Sequence, residues 1–187
     1  MNESSKVREF KLGKLAGLDI TATPSAIIGA IVLWIILSAI GLRIGLSLGN
    51  AIVGGLAATI LHFVANLWHQ LGHAWAANST GHPMIGIRFG FLGVLASDIY
   101  PTDEGEIPPS IHIRRALGGP LSSLVLSAVA LIIFLAINMG RSGGTIWWLA
   151  LFFFLENFVV FTLEIFLPLG FNDASTVLHW MRRQQSK

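Results

Sequence analysis

Cysteine is absent from this 187-residue chain, so neither a disulfide nor a thiolate-bound metal is available to it. Charge is scarce as well: Asp, Glu, Lys and Arg make up 12% of the residues, against 53% that are hydrophobic. That balance excludes an ordinary soluble domain, in which about a quarter of the residues are charged. No internal repeat, low-complexity segment or second domain breaks the pattern. The opening stretch, MNESSKVREFKLGKLAGLDITATPS, is polar and basic for too long to be a secretory signal peptide, so the first apolar block is expected to stay as an anchor. A net charge of only +2, with the basic residues dispersed between apolar blocks, gives no reason to expect a nucleic-acid partner.

The hydrophobic residues come in long blocks, each close to the roughly 20 residues that cross a bilayer. Four transmembrane helices are expected, over residues 24–42, 50–77, 116–138 and 145–167. Asn50 suits an N-cap, Pro120 suits the first turn of the third helix, and Pro168 with Gly170 breaks the fourth. Ahead of them lies the basic segment 1–23, in which residues 7–22 alternate mildly and read as a short strand or an interfacial segment. A short amphipathic helix over 173–184, with Trp180 and two arginines, closes the chain. Between helices 2 and 3, Ile85, Ile87, Phe89 and Phe91 recur at period two, which argues for a strand. The stretch that follows, SDIYPTDEGEIPPS, is acidic and proline-rich and reads as an exposed loop. The expected fold is therefore an all-α polytopic membrane protein, one domain over 1–187, with a small strand element between helices 2 and 3.

Basic residues orient it. Lys6, Arg8, Lys11 and Lys14 precede helix 1; Arg88, Arg114 and Arg115 lie between helices 2 and 3; Arg182, Arg183 and Lys187 follow helix 4. Arg43 and Arg141 alone fall in the remaining loops. Both termini are thus expected on the cytoplasmic side of a cell inner or plasma membrane, in contact with lipid.

Helix 2 contains LHFVANLWHQLGHAWAA, in which His69 and His73 are four residues apart and share a helical face, one turn from each other. Two histidines so placed can grip one metal ion. His62 and Asn66 lie on nearly the same stripe, and a row of polar side chains inside a membrane must face the bundle interior or water. A catalytic zinc takes three protein ligands and keeps a position for water. For the third, Glu156, Asn157 and Glu164 on helix 4 are candidates, as is Asp173 after the LPLG break. Asp173 has the better backbone context, yet an N-cap of the tail helix is an equally good role for it.

With these residues in view, the chain resembles the site-2 protease family of intramembrane zinc metalloproteases. HQLGHA at 69–74 is similar to that family's HExxH except at its second position, and IFLPLGFNDA at 165–174 is similar to its N-x-x-P-x-x-x-x-D-G through Pro168 and Asp173. Ile165 stands for the Asn and Ala174 for the Gly, while ALGGPLSSLVLS at 116–127 looks like the family's Gly-Pro motif. KLGKLAGLDITATPS resembles the segment that leads into the family's first helix. The resemblance implies a metalloendopeptidase that cleaves a transmembrane or membrane-proximal peptide bond, Zn2+ held by His69, His73 and Asp173, and a segment near 85–91 that pairs with an extended substrate.

Gln70 stands where the family has the general base. An amide can hydrogen-bond the attacking water but cannot take its proton, and losing a general base costs about 10²–10⁴-fold in rate. The chain as written is expected to bind zinc and substrate and to cleave poorly or not at all. An engineered substitution, a natural pseudoprotease that binds membrane segments without cutting them, and another carboxylate such as Glu164 acting as base all accommodate Gln70. A metal-ion transporter is the remaining alternative, but its polar residues should reach both membrane faces, and here they cluster toward one. Oligomeric state is not legible.

Overall fold

The computed structural model describes residues 8–140 and 143–185, so Lys6, Arg141 and Lys187, used above to orient the chain, lie outside the described residues. Two strands come first, β1 Phe10–Leu15 and β2 Leu18–Ala22, followed by α1 Pro24–Arg43 and α2 Leu48–Ser79. A hairpin, β3 Gly86–Phe91 and β4 Leu95–Ile99, leads into α3 Pro109–Gly140 and α4 Thr145–Leu155. A π-helical turn, Glu156–Val160, and a 3-10 turn, Leu163–Phe166, extend α4 before α5 Asp173–Gln185. Among the described residues, four helices are long and apolar enough to cross a membrane: Pro24–Arg43, Leu48–Ser79, Pro109–Gly140 and Thr145–Phe166. Their outward side chains, such as Ile28, Ile35, Val53 and Ile132, are exposed as a lipid-facing surface requires.

The helical expectations hold in number and need correction at two ends. Ser47, not Asn50, caps α2, its hydroxyl accepting from the Asn50 N–H at 3.4 Å. The third helix starts at Pro109 rather than near residue 116, which leaves Pro120 in its interior and brings Arg114 and Arg115 into the helix. A proline inside a membrane helix survives where neighbouring groups satisfy the backbone it disturbs.

The strand element is larger than expected. β1, β2, β3 and β4 form one four-stranded sheet in that order, with β2 and β3 parallel and the outer pairs antiparallel. The basic segment before α1 thus supplies half of it. β4 also takes in Ser97, Asp98 and Ile99, which the sequence reading left in an exposed loop. β3 lies between two partners and offers no free edge, so it cannot pair with a substrate as expected; β4 is an edge strand. One sheet face packs Leu18, Ile20, Ala22, Ile87 and Phe89 against Ala77 of α2. Hydroxyls stitch α1 to the sheet: Thr23 donates to the Phe89 carbonyl at 3.2 Å and Ser25 to that of Gly90 at 2.8 Å.

Small residues set the helix crossings. A methyl at Gly55 would collide with Ser38 of α1, and one at Gly118 with the Gly72 carbonyl and the Ala76 side chain of α2. Close backbone approach of this kind is how membrane helices gain contact without a hydrophobic drive between them. Gly118→Val should lower stability in mixed micelles by about 1–3 kcal/mol, the range for overpacking, read as an earlier midpoint in an SDS titration.

Candidate metal centre

His69 and His73 project from one face of α2 toward the break that follows α4. Their Nε2 atoms lie 3.0 Å apart, and each is 3.2 Å from Oδ2 of Asp173. The ligand atoms of the three residues all fall within 4.8 Å of one another. The opposite nitrogen of each ring is engaged: His73 Nδ1 donates to the Arg115 carbonyl at 2.9 Å, and His69 Nδ1 sits 3.0 Å from the Ser123 hydroxyl. Such partners fix the tautomer and turn both Nε2 lone pairs toward the same point. Two lone pairs and a carboxylate oxygen converging in a buried place repel one another unless a cation or a proton lies between them. The donor set, two imidazoles and a carboxylate, suits zinc.

Each partner has a cause in the fold. Pro120 lacks the N–H that would bond the Ala116 carbonyl, and one residue earlier the carbonyl of Arg115 is the one that receives His73. A methyl at Gly119 would stand on Nε2 of both histidines, so only glycine leaves that space open. Asn172 organises the break: its amide donates to the carbonyls of Glu164 and Leu167 at 3.2 and 2.8 Å, and its Oδ1 accepts from the backbone of Leu169 and Ser175. Asn172 therefore caps α5, and Asp173, one position later, keeps its carboxylate for the histidines. α5 itself docks on α3, where the rings of Trp180 and His112 stack 3.9 Å apart.

Of the other third-ligand candidates, Glu164 comes near, with Oε1 3.4 Å from His69 Nε2. Glu156 is elsewhere. The π turn aims it at His62, whose Nδ1 it contacts, and His62 Nε2 lies 2.8 Å from the Val94 carbonyl. Phe161 stands between that pair and the cluster, its ring 6.0 Å from His62 and 5.3 Å from His69. Asn157 is fully buried and donates to the Phe153 carbonyl. Asn66 joins His62 on Val94, at 3.0 Å.

Gln70 borders the cluster, and its amide donates to the Ala96 carbonyl of β4 at 3.3 Å. A cavity of about 550 Å³ opens here, lined by His69, Gln70, His73 and Asp173 together with Asp98, Glu164 and others. Ile165 is not part of that wall, and Ala174, in place of the family's Gly, is buried in the first turn of α5. The sequence reading missed Asp98. Alternation continues past the Gly93 turn, but SDIYPTDEGE looks like solvent-facing sequence. Burial pushes the Asp98 carboxyl above its ordinary range, with His73 pulling the other way. Tyr100 donates to its Oδ2 at 3.3 Å, and the Tyr100 ring lies under the Arg115 guanidinium, 4.1 Å away. Arg115 in turn binds Glu104 through both nitrogens and donates to the His82 carbonyl at 2.6 Å.

No protein-family model and no curated protein matches the sequence. Among solved structures, the fold is similar to that of the Site-2 Protease from Methanocaldococcus jannaschii, with a TM-score of 0.62 over 95% of this chain and 73% of that one, at 20% identity. The likeness is one of fold, and it extends over all four candidate spans.

Two outcomes follow. His73→Ala, Asp173→Ala and Gly119→Leu should each abolish stoichiometric zinc in purified protein measured by plasma emission spectroscopy, while Glu156→Gln should retain it. The hydrogen bonds of Arg115 hold the Glu104 carboxyl below its ordinary 4.5, with burial opposing them. A depressed carboxyl stabilises fully above its unfolded value and loses that contribution as pH falls through its folded one. Protection of the backbone amides over residues 100–108, taken relative to the intrinsic exchange rate at each pH, should therefore fall on acidification below about 4.5, and Glu104→Gln should show the lower protection already at neutral pH.

Proposed function

We propose that the chain is an intramembrane zinc metalloprotease of the site-2 protease kind, acting on a transmembrane or membrane-proximal peptide bond. One observation carries the reading: two histidine Nε2 atoms 3.0 Å apart share a single carboxylate oxygen, inside a four-span fold of the protease type. His69, His73 and Asp173 would hold the ion. Zinc bound there would polarise the scissile carbonyl and lower the pKa of the attacking water.

The chain's own residues suit the remaining tasks. β4 supplies the edge on which an extended substrate can lie, its Ala96, Ser97 and Asp98 bordering the cavity. Strand addition reads a peptide through its backbone and needs it unwound first. Glu164, beside His69, can orient a polar group next to the ion. Gln70 provides no proton acceptor, and on that residue alone turnover should be about 10²–10⁴-fold below that of a glutamate-bearing site. The distribution of basic residues supports a cytoplasmic location for this end of the bundle.

A non-catalytic binding protein is the second reading, favoured by the amide at position 70. Zinc-loaded protein in proteoliposomes, offered labelled single-span peptides, separates the two. Cleavage within or beside the span by the chain as written, or by its Gln70→Glu variant, supports the protease. Silence from both, with the peptides still bound, selects the binding protein and sinks the proposal.

A further inference from the structure

We propose that Asp98 is the carboxylate that accepts the proton of the attacking water, the task that position 70 does not fill; this rests on the proteolytic reading above. Asp98 lines the same cavity as His69, Gln70, His73 and Asp173. It stands opposite Ile87 across the β3–β4 ladder, and Ile87 is completely buried in the sheet's apolar face. Cross-strand partners share a face, so an acid has been set where the fold calls for a hydrophobe. Burying a carboxylate there costs free energy unless it is used or well paired. Its pairing is partial. Oδ2 takes the Tyr100 hydroxyl, while Oδ1 is out of solvent contact and accepts no hydrogen bond from any described residue.

Gln70 completes the argument. Its amide donates to the Ala96 carbonyl, two residues before Asp98 on the same strand. A glutamate at 70 would turn a carboxylate oxygen toward that carbonyl, and the two acceptors would repel. The amide at 70 thus anchors the strand that carries the acid at 98. Other carboxylates are placed differently: Glu156 is bound to His62 behind Phe161, and Glu164 touches the metal-facing nitrogen of His69, as a ligand would. Asp98 is not part of the His69–His73–Asp173 group. In the reaction the water oxygen bonds to the scissile carbonyl carbon and its proton passes to the Asp98 carboxylate. The peptide C–N bond then breaks as Asp98 returns the proton to the leaving amine.

The test compares the protein as it stands with Asp98→Asn and Gln70→Glu, each zinc-loaded in proteoliposomes with labelled single-span peptides, and records both cleavage rate and zinc content. The expected result is cleavage by the unmodified chain, a loss of about 10²–10⁴-fold in Asp98→Asn, and zinc unchanged at one per chain. Asp98→Ser, which removes the carboxylate without adding volume, gives the same reading should the asparagine variant not fold. Three results overturn it: a rate untouched by Asp98→Asn, an unmodified chain that is silent while Gln70→Glu cleaves, or zinc lost on substitution, which makes Asp98 a ligand. Each leaves the protease standing. If the unmodified chain and Gln70→Glu are both silent with zinc bound, the proteolytic reading falls, and the assignment of Asp98 falls with it.

Discussion

Where α2 crosses α3, Gly72, Gly118 and Gly119 bring the two backbones so close that no added methyl fits at any of them. The rest of the site hangs from that crossing. It lets the ring of His73 reach a main-chain carbonyl on the next helix and the ring of His69 reach a buried hydroxyl two turns further along. Those two bonds orient the Nε2 nitrogens that converge on Asp173, and the missing side chain of Gly119 leaves them somewhere to point. In lipid, where no hydrophobic drive favours one helix face over another, shape at a few glycines decides which faces meet. The chemistry of the histidines is therefore set by residues that carry none.

A row of polar side chains along a spanning helix is tolerable only if each finds a partner. Along α2 they do, through several elements of the fold. His62 meets the π turn after α4, Asn66 the turn before β4, Gln70 the edge of β4, and His69 and His73 meet α3 and the start of α5. One inserted residue in α4 turns Glu156 toward His62 and sets Phe161 as an apolar partition between two polar groups. The His62–Glu156 pair and the His69–His73–Asp173 group thus each border the Phe161 ring.

Much of this was legible in the chain itself. Long apolar blocks gave the four spans, since bilayer thickness dictates their length, and the i, i+4 histidines gave the face of the site. Asp173 was harder to assign, because Asp is both a good ligand and a good cap; the cap proved to be Asn172, whose amide and carbonyl serve five neighbouring groups. Pro120 misled because proline favours a helix's first turn, whereas in a membrane helix a neighbour can take up the disturbed backbone. The β1–β2 hairpin and β4 were obscured by non-local pairing, which no local pattern announces. Asp98 was hidden by company: an acid among prolines and further acids looks solvated until its strand partner is known.

The parallel pairing of β2 with β3 joins segments about 66 residues apart, with two spans and a loop between them. Such a ladder cannot close as the chain emerges. β2 must wait, unpaired on its inner edge, until α1 and α2 have both been inserted and the chain has returned to the side it started from. The β4 side of the cavity is then assembled only after the histidines of α2 are in place, and the side that carries Asp173 later still. A chain that has emerged only through α2 holds His69 and His73 with neither β4 nor Asp173 beside them. The order of assembly itself thus leaves the cavity open until the last helix has docked.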